Sequence, residues 1–395
     1  MTIELSTIQT IAMAVVVLYI GKFLNHNFKF LKENCIPESV TGGTAFSVIT
    51  FIGYKTGMFN FIFEDSLRNI FMIAFFTTVG YSASLKLLKK AGMPVFMFLI
   101  ASVGLAISQN VLGVGLAQIL NLNPLIGLAT GSMSTTGGPG TAGAFAPILE
   151  SYGAEGATVV AMATATYALI VGSLISGPLA NRLIKKHNLL EKRDGVGMYD
   201  SDEEKKTPLD PKHVSTASFQ IIMAMGIGSL ISNYLSKAGI VLPSYIGAMF
   251  AAALIRNISD FTGAYEVHLD IINIIGGFTL TIFLSMTLMS FKLWELQGLA
   301  LPLVIMLVAQ TILIGVFAYF ITFRLTGKDY DAVVMTSGHC GCGFGTTPKA
   351  LANMEALTAK YFPSPKAFFV IPIVGGLFID FFNAGIITLF MNILH

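Results

Sequence analysis

Two Gly-, Ser- and Thr-rich segments interrupt an otherwise apolar chain. The first reads Gly131-Ser132-Met133-Ser134-Thr135-Thr136-Gly137-Gly138-Pro139-Gly140-Thr141, the second Ser337-Gly338-His339-Cys340-Gly341-Cys342-Gly343-Phe344-Gly345-Thr346-Thr347-Pro348. Glycines let the backbone reverse and let a ligand come close to it. The hydroxyls add neutral donors and acceptors. A helix opening after each segment would aim the partial positive charge of its first N–H groups at the break, which suits a carboxylate. Carbonyls released at the end of a preceding helix suit a cation such as Na⁺. The chemistry this allows is capture of a small anion beside a cation. It assigns solute contacts to Thr135, Thr136, Gly137, Gly138 and Thr141 in the first segment, and to Gly343, Gly345, Thr346 and Thr347 in the second.

Asp380 and Asn383 are the candidates for holding Na⁺. An acid inside an apolar run is costly and usually functional, and a residue three positions on shares its helix face. The competing reading is a structural hydrogen bond to a neighbouring helix. Gly341-x-Gly343-x-Gly345 has no strand before it and no Gly-Lys-Ser/Thr after it, so it is not a nucleotide loop. His339, Cys340 and Cys342 are metal-ligand types, but they are tightly spaced and no second cluster completes a site. A Cys–His nucleophile would lack its orienting third group. The expectation is no enzyme and no cofactor, with Na⁺ as a coupling ion. Gln109, Asn110, Thr164, Thr166 and Tyr167 are expected in helix–helix hydrogen bonds. Glu38 and Arg256 fall near span ends, and Lys349 either attracts an anion or, the favoured reading, reaches cytoplasmic water.

These segments must be positioned by membrane helices. Of 395 residues, 54% are hydrophobic and 12% charged, about half the charge of a soluble domain. The apolar residues run in blocks long enough to cross a bilayer. Expected spans are 5–21, 36–54, 67–85, 93–120 and 155–183, then 216–236, 240–256, 267–291, 299–323 and 366–392. The N-terminus lacks a basic region and a cleavage site, so the first run reads as a retained span. The charged stretch 185–215 reads as a linker. A net charge of +2 gives no reason to expect a nucleic-acid partner. With the N-terminus outside and each Gly-rich segment leaving on the side it entered, 19 Lys and Arg lie inside and 4 outside. That bias puts the linker in the cytoplasm and both termini outside.

The halves match weakly at a steady offset. Ile36-Pro37 pairs with Leu242-Pro243, Gly92-Met93-Pro94 with Ala300-Leu301-Pro302, Gly138-Pro139-Gly140-Thr141 with Gly343-Phe344-Gly345-Thr346, and Val171-Gly172 with Val374-Gly375, at offsets of 203 to 208. Four matches in order at nearly one spacing indicate an internal repeat. Five spans per half put the halves in opposite orientation, an inverted repeat common among secondary transporters. The expected fold is an all-α integral membrane protein of two five-helix halves, each carrying a re-entrant Gly-rich hairpin. Residues 1–184 form the first half with its hairpin at about 124–150. Residues 185–215 are the linker, and 216–395 form the second half with its hairpin at about 330–361.

The residues also resemble a known family. Ile36-Pro37-Glu38, Ala74-Phe75-Phe76-Thr77-Thr78-Val79-Gly80 and Lys292-Leu293-Trp294-Glu295-Leu296 are similar to blocks of the bacterial sodium/glutamate symporters, as are Gly327-Lys328-Asp329-Tyr330-Asp331-Ala332, Gly338-His339-Cys340-Gly341, Gly345-Thr346-Thr347-Pro348 and Phe378-Ile379-Asp380. The resemblance covers nearly the whole chain. It implies Na⁺-coupled uptake of L-glutamate across the bacterial inner membrane by a homodimer. Pro139 stands where the family carries His, and Cys342 where it carries an aromatic residue. Aspartate or another dicarboxylate therefore stays open as the solute, with Na⁺ or H⁺ as the coupling ion. A passive channel or a membrane enzyme fits the paired segments less well.

Overall fold

The computed structural model describes all residues except 1, 29–30, 32–35, 65, 190–209, 238–243, 291–298 and 395. Cys35, most of the linker, the Leu242-Pro243 end of one repeat match and the Lys292–Leu296 block lie outside the described residues.

Helices stand at every expected span. They are α1 (Thr7–Asn27), α2 (Glu38–Lys55), α3 (Ser66–Ser82), α4 (Leu85–Ile119), α8 (Ala157–His187), α9 (Pro211–Lys237), α10 (Ser244–Thr262), α11 (Leu269–Met289), α12 (Ala300–Leu325) and α15 (Pro365–Leu394). Eight of these are long and apolar enough to cross a membrane; α2 and α10, richer in small or charged residues, fall short. Between α4 and α8 lie α5 (Pro124–Ala129), α6 (Ser132–Thr135) and α7 (Gly138–Ser151). Between α12 and α15 lie α13 (Tyr330–Cys342) and α14 (Thr347–Lys360).

The fold is mostly helical, with one short addition: β1 (Thr2–Leu5) pairs in parallel with β2 (Asn60–Phe63). Residue 5 therefore belongs to a strand. The first helix starts after Ser6, whose backbone N–H donates to Gln9 Oε1 at 2.9 Å. The run Asn60-Phe61-Ile62-Phe63 has the aromatic and β-branched content that favours strand.

The chain divides into two compact units. The first comprises Met1–Ser84 with Lys205–Gly298, and the second Leu85–Glu204 with Leu299–His395. The first unit is built on close helix crossings. A Cβ on Gly21 would collide with the Glu38 carbonyl, and one on Gly42 with the Val17 carbonyl, so α1 and α2 touch backbone to backbone. Gly228 and Gly247 bring α9 and α10 together in the same way. Gly43 lies against Leu288, and Gly80 against the Met249 carbonyl. In lipid, where apolar surface gains nothing from leaving water, such small-residue contacts supply helix association through dispersion.

The second unit packs α4, α8 and α12–α15 around a core that includes Val95, Phe98, Leu183, Met335, Met354 and Phe378. Two of its helices carry π turns, Ala318–Thr322 in α12 and Val374–Phe378 in α15. Such turns release backbone groups from the regular ladder and often mark functional places.

Candidate functional site

The second unit contains two helix breaks, and local chemistry explains both. In the first, Asn123 caps α5 by accepting the Leu125 N–H at 3.0 Å, with Pro124 in the first turn. After α6 the chain passes Thr136 and Gly137 and reopens as α7 at Gly138, whose φ of +64° favours glycine. Pro139 occupies the first turn of α7, where its missing N–H costs no intrahelical bond. In the second break, Asp329 caps α13 by accepting the Ala332 N–H at 2.7 Å. The chain leaves α13 at Cys342 and reopens as α14, again with a proline, Pro348, in the first turn.

The breaks touch. The Gly345 N–H donates to the Thr135 carbonyl at 2.8 Å. A Cβ on Gly138 would lie 3.0 Å from the Gly345 carbonyl oxygen and 3.5 Å from Thr346 Cγ2.

A single amide from α4 clasps both. Gln109 Nε2 donates to the Gly343 carbonyl at 2.7 Å, and Gln109 Oε1 accepts the Thr136 hydroxyl at 2.7 Å. Gln310 of α12 supports it by donating to the Gln109 carbonyl at 2.8 Å. Next to it, Asn110 Oδ1 accepts the Ser132 N–H at 2.7 Å and so caps the start of α6 from outside.

The residues named from sequence are only partly brought together. Thr135, Thr136, Gly138, Gly343, Gly345 and Thr346 meet at the junction of the breaks. Gly137 lies against Thr141, one turn into α7. The Thr135 hydroxyl donates back to Gly131 at 2.8 Å, so the carbonyl of Thr135, and not its side chain, makes the junction. Thr347 turns toward α15, donating to the Gly375 carbonyl in its π turn at 2.6 Å.

Asp380 and Asn383 share a helix, and Asn383 reaches the first break. Asn383 is fully buried, and its Nδ2 donates to the Ser132 carbonyl at 3.1 Å. Asn383 Oδ1 and Ser132 Oγ are buried without a hydrogen-bond partner among the described residues. Asp380 is half-buried one turn before Asn383 on α15. Two adjacent orphan oxygens are the donor type a hard cation takes.

Four contributors were missed or under-read. Gln109 and Asn110 make the expected bonds between helices, and those bonds fall at the breaks. Ser132 and Gln310 had no assigned role. For Gln109, Asn110 and Gln310 the signal is an amide inside a long apolar run. Lys349 is a correction: it is 2% exposed in the first turn of α14 and does not reach water. Gly341 lets the backbone of Lys349 and Ala350 pack directly on α13.

His339 Nδ1 lies 2.7 Å from Thr322 Oγ1 in the π turn of α12, with its ring packed against Phe98 and Phe317 at 4.9 and 6.3 Å between centroids. Cys340 and Cys342 are buried free thiols. Among the described residues no three His, Cys, Asp or Glu side chains cluster as metal ligands.

Long apolar helices, with backbone broken at two touching points and lined by Gly, Thr and amide groups, define a secondary transporter. The chain belongs to the sodium/glutamate symporter family, whose model matches residues 3–363. It is 38% identical over 398 residues to the sodium/glutamate symporter of Escherichia coli strain K12, covering 98% of each chain. The sodium/glutamate symporter of Haemophilus influenzae is 37% identical over 393 residues, covering 98% of this chain and 97% of its own. A sodium proton antiporter from Methanocaldococcus jannaschii overlays 98% of each chain at a TM-score of 0.44 and 12% identity, too distant a likeness to carry an argument.

Proposed function

We propose that this protein carries L-glutamate together with Na⁺ across the bacterial inner membrane by alternating access. The carrying observation is the Gly345–Thr135 hydrogen bond of 2.8 Å, which joins the two breaks into one place. The first N–H groups of α7 and α14 would favour a carboxylate there. Thr136, Thr141, Thr346 and Thr347, with the backbone of Thr135, Gly137, Gly138, Gly343 and Gly345, would contact the solute. Asn383, with Ser132 beside it, would hold the cation, and Asp380 would contribute its charge. Binding of either species then raises the affinity for the other by the same factor.

In this reading α5–α7 and α13–α14 are re-entrant hairpins within an inverted repeat, residues 1–184 against 216–395. Reciprocal contacts support it. Gly43 meets Leu288, and their repeat counterparts Met249 and Gly80 also meet. In the second unit, Ser176 of α8 lies 2.7 Å from Ser337 of α13, while Asn383 of α15 donates to Ser132 of α6. The last helix of each half thus bonds to the broken segment of the other. The Lys and Arg bias puts both termini outside and the linker inside. The family resemblance implies a homodimer.

The test is uptake of radiolabelled L-glutamate into proteoliposomes under an inward Na⁺ gradient and with K⁺ in its place, with aspartate and citrate as competitors. Accumulation that requires Na⁺ is expected. Accumulation that is equal in K⁺ would refute Na⁺ coupling, and stronger competition by aspartate or citrate than by glutamate itself would reassign the solute. Pro139 and Cys342, which lie at the two breaks, make aspartate or another dicarboxylate the second reading.

A further inference from the structure

Apart from the breaks, the second unit carries a groove between α8 and α12. Its apolar part, of about 460 Å³, is lined by Leu174, Ile175, Pro178, Val316 and Phe320. It runs into a second hollow of about 570 Å³ beside Arg182, Lys185 and Lys186, and the two share Pro178 and Arg182. Tyr319 stands at the join: the Arg182 guanidinium lies 5.9 Å and the Lys186 ammonium 5.4 Å from its ring centroid.

The three cations are exposed and make no ion pair among the described residues. Leu174, Val316 and Phe320 are 65%, 50% and 47% exposed, so no part of the unit covers the groove. At 1.5 Å per residue, Arg182 lies roughly 38 Å from the start of α8, and Tyr319 roughly 28 Å from the start of α12. A hydrocarbon core is about 30 Å thick. The groove therefore ends where acyl chains meet headgroups, with an aromatic ring and three positive charges at that level.

We propose that this groove is a binding site for an anionic phospholipid, with an acyl chain along Leu174, Val316 and Phe320 and the phosphate held by Arg182, Lys185 and Lys186. The chemistry separates this occupant from the alternatives. A zwitterionic lipid would leave the net positive charge of the hollow uncompensated. A free phosphate would leave the apolar half of the groove empty. Each basic residue beside an anionic headgroup contributes about a fivefold gain in affinity.

The experiment is native mass spectrometry of the delipidated full-length protein, titrated with phosphatidylglycerol and phosphatidylcholine of identical chains. Wild type should bind phosphatidylglycerol at least tenfold more tightly. R182Q/K185Q/K186Q should lose roughly 100-fold of that affinity, from three such contributions, and fall to the phosphatidylcholine level. V316W, which fills the groove and keeps every charge, should weaken both lipids. If the triple variant fails to fold, R182Q alone should still lose about fivefold. Glycerol 1-phosphate at equal concentration should not displace the lipid. Unchanged phosphatidylglycerol affinity in folded R182Q/K185Q/K186Q or in V316W would overturn the proposal. So would equal displacement by glycerol 1-phosphate, which would mark a simple phosphate site.

Discussion

Gln109 Nε2 and the Gly343 carbonyl oxygen lie 2.7 Å apart, although 234 residues separate them in sequence. Through this bond α4 holds the end of α13, while the same amide accepts the Thr136 hydroxyl at 2.7 Å. One side chain therefore bonds to both breaks, beside the direct Gly345–Thr135 bond.

Removing that side chain should loosen both breaks together. Gln109→Leu leaves the Thr136 hydroxyl and the Gly343 carbonyl only their mutual bond of 3.2 Å, a net loss of about 0.5–1.5 kcal/mol for each bond removed. Thermal unfolding in detergent should fall, and glutamate uptake with it. Combining Gln109→Leu with Thr136→Val should cost less than the sum of the two, because the residues share one network. Strict additivity in the cycle would show that the clasp is not a unit.

Gly138 is the position where a single methyl group should matter most. Alanine there would take a positive φ that costs about 1–2 kcal/mol, and its Cβ would press on the Gly345 carbonyl at 3.0 Å. Gly138→Ala should lower uptake roughly tenfold, by about 1.4 kcal/mol, with the protein still inserted and monodisperse. Gly177→Ala, where a Cβ meets nothing within 4 Å, is the control and should stay near wild type in both assays.

Asn383 bonds to the first break and Asp380 is the one acid on its helix, so each can be tested alone. Asn383→Leu removes a buried oxygen beside Ser132, so the Na⁺ concentration for half-maximal uptake should rise tenfold or more. By linkage, the glutamate KM at low Na⁺ should rise as well. Asp380→Asn should also weaken Na⁺ dependence. If its uptake keeps the wild-type Na⁺ curve, Asp380 has no part in holding the cation.

In the first unit the glycine crossings set stability. Gly42→Val would drive side-chain atoms into the Val17 carbonyl and force α1 from α2. Overpacking of this kind costs about 1–3 kcal/mol or more. Fluorescence-detected size exclusion should show loss of folded protein, and Gly228→Val should behave alike at the α9–α10 crossing. Gly277→Ala, with open space around its Cβ, should leave the elution profile unchanged.

The sequence by itself determined where helices form and where they stop. Long apolar runs leave the backbone little choice but helix in lipid, since every N–H and C=O must be paired within the segment. Gly137-Gly138-Pro139 and Gly343-Phe344-Gly345 announce breaks because glycine and proline are poor at continuing a helix. Contacts between distant segments have no such local cause. Nothing near Gln109 indicates that its amide reaches Gly343, and nothing near Asn383 points to Ser132. Lys349 read as a water-seeking end because its neighbours are polar, yet packing of α14 on α13 at Gly341 buries it. The pairing of Thr2–Leu5 with Asn60–Phe63 was likewise invisible, because a four-residue strand acquires its partner only when the chain brings the two together. Helix or break is decided by a dozen neighbouring residues and the surrounding lipid. Which polar group satisfies which is decided by three-dimensional proximity, and that exists only in the tertiary structure.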